Sequence, residues 1–163
     1  MNSQSLSGEL MVEHWRGDTE RALVIFTDYL RSHAMSLTRP RKAILRAVMA
    51  IEGHFRLPDL FAALDQQGDR VNRATVFRVL PFLEDSGLLR RVCRDSSSQW
   101  VYEHIVGHEP HEHLVCVDCG RVVEVDGLRM DQVGPGISRD MGFSYLYHRL
   151  SIFGICPDCS KLK

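Results

Sequence analysis

Two cysteine pairs constrain this chain more than any other feature: Cys116-Val-Asp-Cys119 and Cys156-Pro-Asp-Cys159. Two residues between cysteines let both thiolates of one tight turn reach the same ion. Two such turns complete a tetrahedral zinc shell. Gly120 follows the first pair directly, as a tight knuckle requires. The competing readings are a dithiol redox pair, which needs one such motif and gives no reason for two, and four unligated core cysteines. Four thiolates leave no open coordination position, so the predicted zinc is structural rather than catalytic. It would tie together the ends of a small C-terminal half with a thin core of its own.

A length of 163 residues suits one medium domain or two small ones. No run approaches the roughly 18–20 apolar residues of a membrane span. Residues 1–30 show no basic-then-apolar signal pattern. The expectation is a cytoplasmic protein with no membrane partner, in a compartment that disfavours structural disulfides. The net charge of −1 conceals a polarity: the balance is +6 over residues 31–94, −4 over 95–163 and −3 over 1–30. A basic middle between acidic ends suits a half that meets a polyanion, although solvated surface charge gives the same count.

The pattern along the chain changes once. Residues 1–17 look unpatterned and are expected to be a loose arm. Ala22, Leu23, Ile25, Phe26 and Leu30 recur at helical spacing, predicting a helix over 18–34. Thr38 caps a second helix ending near Gly53, and Pro58 opens a third that stops at Gly68. Asn72 caps a fourth, kinked at Pro81 and stopping at Gly87. Leu88–Cys93 and Gln99–Glu103 then read as two short strands around Asp95-Ser-Ser-Ser98. Helices followed by a hairpin are the order of a winged helix-turn-helix. Residues 105–110 read as a hinge. Beyond it His113–Val117, Arg121–Val125 and Phe143–Ile155 read as strands, with a helix over 128–141 that Gly134-Pro135-Gly136 should break. The expected class is α+β: an arm (1–17), a winged-helix domain (18–104), a hinge (105–110) and a zinc-stapled dimerisation domain (111–163).

Two further clusters carry chemistry. Glu103, His104, His108, Glu109, His111, Glu112 and His113 gather imidazoles and carboxylates around the hinge. On a strand His111 and His113 share a face, and nitrogen and oxygen donors suit Fe(II), Mn(II), Co(II), Ni(II) or Zn(II). The bland reading is a solvated polar loop. His54, alone in a loop, reads by itself as a surface histidine. In Asn72-Arg-Ala-Thr-Val-Phe-Arg78 the apolar stripe faces inward and leaves Arg73, Phe77 and Arg78 outside, with Thr75 in the same turn. Arginine can bond guanine edges or phosphates, and an aromatic ring can pack on thymine methyls. Arg39, Arg41 and Lys42 could add phosphate or minor-groove contacts.

In this order the signals resemble the ferric uptake regulator family. The stretches that carry the resemblance are Leu37-Thr-Arg-Pro-Arg41, Arg73-Ala-Thr-Val-Phe-Arg78, Ser86-Gly-Leu88, Tyr102-Glu-His104, His111 through Gly120 and His148 through Cys159. The resemblance implies a DNA-binding winged helix hinged to a dimerisation domain, with structural zinc on Cys116, Cys119, Cys156 and Cys159. It implies a regulatory site for Fe2+, Mn2+ or Zn2+ spanning the hinge, on His54, Glu103, His111, His113 and Glu124. A further site in some members would fall on Glu112, Asp131 and His148, with Pro110 where that site has another histidine. Peroxide-sensing members carry aspartate at position 103 and many zinc regulators cysteine, so Glu103 looks like the iron-responsive type. Three departures stand out: Ser36 where a lysine often reaches the minor groove, Phe77 for the usual tyrosine, and the Gly-Pro-Gly break. Cys93 reads as an inert core thiol.

The implied function is a metal-dependent repressor that binds an inverted-repeat double-stranded DNA operator as a homodimer and takes no organic substrate. Manganese, zinc or peroxide sensing is the alternative within the family. A zinc hydrolase or deaminase is the alternative outside it. A deaminase needs His-x-Glu upstream of Pro-Cys-x-x-Cys, whereas here His113 stands two places after His111 and Ile155 precedes Cys156.

Overall fold

The computed structural model describes residues 8–107 and 111–162, with side chains from residue 17 onward. It is an α+β chain that divides into two compact units. The first takes the chain up to Arg91 and again over 100–107; the second takes Val92–Gln99 and the chain from residue 111.

Four helices build the first unit: α1 (Gly8–Ser32), α2 (Arg39–Met49), α3 (Leu57–Gln66) and α4 (Arg73–Asp85). The helix predicted over 18–34 begins at Gly8. Residues 8–17 are therefore helical rather than a loose arm, and residues 1–7 lie outside the described residues. Gly8–Gly17 lacks an apolar stripe, but it holds Glu, Leu and Met and no proline, which is enough to extend a helix already nucleated downstream. Ala22, Leu23, Phe26 and Leu30 of α1 pack against Ile44, Leu45 and Val48 of α2, Leu60 and Leu64 of α3, and Val76, Leu80 and Leu83 of α4 in one buried core.

The helix starts follow local chemistry. Thr38 precedes α2 with an extended backbone, but its hydroxyl makes no capping bond; Pro40 in the first turn sets the entry instead. Asp59 Oδ2 accepts the Arg56 N–H at 2.8 Å at the start of α3. Asn72 Oδ1 accepts the Ala74 N–H at 2.7 Å at the start of α4. The α4 helix runs on through Pro81. The carbonyl that loses its donor there belongs to Phe77. Phe77 and Pro81 are both exposed, so water can take that bond.

Strands β1 (Leu89–Arg94) and β2 (Trp100–His104) form the two-stranded wing. Its turn is held by Asp95 Oδ1, which accepts the N–H groups of Ser97 and Gln99. Arg91 lies over the Trp100 ring and bonds Glu84 of α4 at 2.9 Å, tying wing to helix. After β2, Gly107 has φ +84°, and a Cβ there would run into the Asp18 carboxylate of α1. Only glycine suits that turn. The rest of the predicted hinge, 108–110, lies outside the described residues.

The second unit carries β3 (Glu112–Cys116), β4 (Val122–Val125), α5 (Met130–Asp140), β5 (Ser151–Gly154) and α6 (Pro157–Ser160). The sheet order is β4-β3-β5, antiparallel on one side of β3 and parallel on the other. A parallel pair needs a long crossover, and the chain through α5 supplies it. The strand expected over 143–155 shrinks to its last residues. The helix break expected at Gly134-Pro135-Gly136 does not occur; α5 is continuous. Gly134 has a positive reason to be there: a Cβ would lie 2.6 Å from Tyr145 Cε2. From residue 111 onward the buried apolar side chains are Val115 and Cys116, beside buried Glu112 and His113.

Candidate metal centres

The four paired cysteines meet in one cluster in the second unit, their sulfurs all within 4.8 Å of one another. The geometry fits zinc. A tetrahedron with Zn–S bonds of about 2.3 Å has edges of about 3.8 Å, and Cys119 Sγ and Cys156 Sγ stand 3.8 Å apart. Backbone N–H groups also point at sulfur, Cys156 N donating to Cys116 Sγ at 3.3 Å. The N–H bonds from Cys119 and then Cys156 hold the Cys116 thiol down to about 6. Cys159 is pushed the other way, to about 12, by hydrogen bonding with Cys156 and Cys119 and by burial. One thiolate is stable alone; four together demand a cation. Arg121 from the first knuckle bonds Asp158 in the second at 2.6 Å, which clasps the two turns.

In the first unit a single antiparallel bridge makes a second arrangement. Phe55 N donates to Tyr102 O at 2.9 Å, and Tyr102 N donates to Phe55 O at 2.8 Å. Both rings are buried and stacked, with centroids 5.8 Å apart. Neighbouring residues of an extended chain face oppositely, so His54 and Glu103 emerge together on the other side. His54 Nε2 lies 3.9 Å from Glu103 Oε2, and Glu103 is only 1% exposed. That same oxygen accepts Arg90 Nε at 2.7 Å. The sequence reading missed Arg90: one of three arginines in β1, it carries no signal of its own until the wing pairs it with β2.

In the second unit His111 and His113 do share a side of the chain, their rings edge-to-face with centroids 4.9 Å apart. Glu124 belongs with them. It is the cross-strand partner of His113, and its Oε1 lies 3.7 Å from His111 Nε2. These are donors of the kind that hold a borderline divalent ion. His108 and Glu109 of the predicted cluster lie outside the described residues.

In the third candidate group two of the three residues meet directly, and Asp131 lines the same cleft. His148 Nε2 pairs with Glu112 Oε1 at 2.7 Å, and its Nδ1 meets the Tyr145 hydroxyl at 2.5 Å. Asp131 does not complete a ligand cluster with them among the described residues. Both imidazole nitrogens are already engaged, Nε2 by Glu112 and Nδ1 by a tyrosine for which the α5 backbone at Gly134 makes room.

The outer side of α4 is free of the core. Arg73 and Arg78 are exposed, and Phe77 is 55% exposed. Thr75 is half-buried in the same turn. The Arg73 guanidinium is steadied over the Phe61 ring at 4.9 Å. Arg39 is exposed at the start of α2 and lines a cleft of about 380 Å³ with Arg70. Arg41 is occupied differently. It bonds the Ser36 carbonyl at 2.6 Å and lies over Phe82 at 5.4 Å, holding the turn before α2.

The chain is similar to known proteins. Residues 32–153 match the sequence model of the ferric uptake regulator family. The chain is similar to the ferric uptake regulation protein of Haemophilus ducreyi, at 34% identity over 82% of this chain and 91% of that protein. It is similar to the peroxide operon regulator of Bacillus subtilis, at 29% identity over 81% of this chain and 89% of that protein. Among solved structures it is similar to the ferric uptake regulator from Pseudomonas aeruginosa with manganese. That likeness has a TM-score of 0.67 at 31% identity and covers 78% of this chain and 95% of the other.

Proposed function

Since this chain belongs to the ferric uptake regulator family and is a metal-responsive, DNA-binding transcriptional repressor rather than an enzyme, we propose that ferrous iron is its signal. The proposed regulatory ligands are His54, Glu103, His111, His113 and Glu124. The observation that carries this reading is the Phe55–Tyr102 bridge, which sets an imidazole beside a buried carboxylate. The donors are nitrogen and oxygen without sulfur, which favours Fe(II) or Mn(II) over softer ions.

When bound, the regulatory ion supplies positive charge and a fixed coordination geometry. The rest is the work of the chain. His54 and Glu103 come from the unit that carries α4, and His111, His113 and Glu124 follow the hinge. Ligands from both sides restrict that hinge to fewer arrangements. Operator DNA selects the arrangement it fits, so metal favours repression by population shift. Linkage requires DNA to tighten metal binding by the same factor, about 5–150-fold for a typical coupling of about 1–3 kcal/mol.

The DNA-reading surface is the first turns of α4, with Arg73, Thr75, Phe77 and Arg78 in the major groove and Arg39 on phosphate. The proposed assembly is a homodimer on an inverted repeat. Its support is the sheet of the second unit, where Leu114, Val123 and Ile152 lie in one cross-strand row and are each more than 40% exposed. No helix among the described residues is long and apolar enough to cross a membrane. The site of action is the cytoplasm, where DNA is present and the zinc thiolates stay reduced.

The test titrates labelled operator DNA with the purified protein in the presence of Fe(II), Mn(II) or Zn(II), and with no added metal. Anaerobic Fe(II) should tighten binding most. No change with any ion removes the sensor reading, and a stronger response to Mn(II) or Zn(II) reassigns the signal. Replacing His111 and His113 by alanine should abolish the response while leaving the cysteine-bound zinc in place.

A further inference from the structure

Glu103 does not wait bare for an ion. Its Oε2 accepts Arg90 Nε at 2.7 Å, and it is the same oxygen that His54 Nε2 approaches to 3.9 Å. Arg90 itself is only 21% exposed at its side chain, so the pair is screened little by water. A buried carboxylate with no counter-charge is costly, and a guanidinium at this distance satisfies it through a charge-assisted hydrogen bond. Arginine cannot shed its proton to make way for another cation.

We propose that Arg90 is a built-in counter-ion for the regulatory carboxylate: it occupies Glu103 Oε2 in the metal-free protein, and an incoming divalent ion must displace or share it. Arg90 is thus a positioning residue that weakens metal binding and sets the concentration at which the sensor responds. The inference rests on the reading of Glu103 as a regulatory ligand. It has a physical logic apart from that reading. Arg90 sets a permanent positive charge against a carboxylate that is only 1% exposed. With Arg90 the metal-free state is stable enough to persist, and occupancy is reserved for conditions of metal sufficiency.

The test measures Mn(II) dissociation constants from the electron paramagnetic resonance signal of free Mn(II), on zinc-loaded protein. Arg90→Gln should bind Mn(II) about 10-fold or more tightly than the native chain, the scale of one lost charge-assisted hydrogen bond. The metal-free variant should melt lower than native, and saturating Mn(II) should raise its melting temperature by more than it raises the native one. A residue that only props up the wing would, when removed, weaken Mn(II) binding or leave it alone. Either result overturns the proposal. If Arg90→Gln does not fold, Arg90→Lys keeps the charge but loosens the pair and should shift affinity the same way by less. Glu103→Gln separates the two readings. If it leaves Mn(II) affinity unchanged, Glu103 is no ligand and both readings fall. If it weakens binding while neither Arg90 variant tightens it, only the counter-ion role falls.

Discussion

Phe55 and Tyr102 exchange both of their backbone hydrogen bonds, and this one bridge sets His54 across from Glu103. The two rings fill the core while His54 and Glu103 face away from it, so one short stretch of backbone serves both the packing and the proposed ligands. Phe55→Ala should cost about 3–5 kcal/mol, as for other buried phenylalanines, and should weaken the metal response in parallel. Urea unfolding beside a Mn(II) titration checks both. A variant that keeps full metal affinity after losing that much stability would break the link.

The zinc cluster predicts a distinct pH behaviour. Cys116 is held near 6, below its usual 9.0. A lowered acid contributes its full stabilisation above the unfolded value and loses it as pH falls through the folded one. Proton and metal compete for the same sulfur, so zinc should stay bound through neutrality and be released only on acidification below that value, as followed with a chromogenic chelator. Removing zinc near neutral pH, or replacing Cys119 by serine, should unfold the second unit, since among the described residues from 111 on only Val115 and Cys116 are buried apolar side chains. Circular dichroism before and after chelation reads this directly.

At the end of the wing, Gly107→Ala meets two penalties: a positive φ and the Asp18 carboxylate. The expected loss is about 1–3 kcal/mol, the range for a strained backbone position. In an Asp18→Ala background the collision is removed and only the backbone term remains. A double-mutant cycle of melting curves should therefore show coupling between the two sites.

The arginines near α4 should sort by environment. Arg78→Ala and Arg39→Ala should weaken operator binding, each lowering the slope of log K against log salt by about one if the side chain meets a phosphate. Phe77→Ala should reduce affinity with little change in melting temperature, because that ring is 55% exposed. Arg41→Ala should do the reverse, destabilising the turn it braces from Ser36 to Phe82.

The sheet face offers the last test. Leu114→Glu places a charge in the middle of the row formed with Val123 and Ile152. Sedimentation should show a smaller particle that still holds zinc, and operator affinity should fall. A variant that sediments like the native chain would move the subunit contact elsewhere.

What the sequence made legible follows from where its signals are local. Cys-x-x-Cys spacing, the Asn72 cap and the stripe through Val76, Leu80 and Leu83 each depend on residues a few positions apart, and each stands as read. The pairing of His111 with His113 is likewise a property of one strand. Local rules failed where a distant group decided. Gly134-Pro135-Gly136 reads as a break, yet the helix persists, with Tyr145 packed where a side chain at Gly134 would stand. Arg90 is one arginine of a basic stretch until the wing folds it onto Glu103. His54 looked idle by itself; the resemblance assigned it a role, and a one-residue bridge at Phe55 gives it a neighbour.

The cysteine staple also orders events in time. Among the described residues beyond 111 a single chain buries only Val115 and Cys116 as apolar side chains, so zinc capture is expected to come before dimerisation and repression. Occupancy of the proposed regulatory site would then vary with the present supply. On that reading one molecule would keep two records: a nearly permanent one of the zinc available at its birth, and a revisable one of the metal available now.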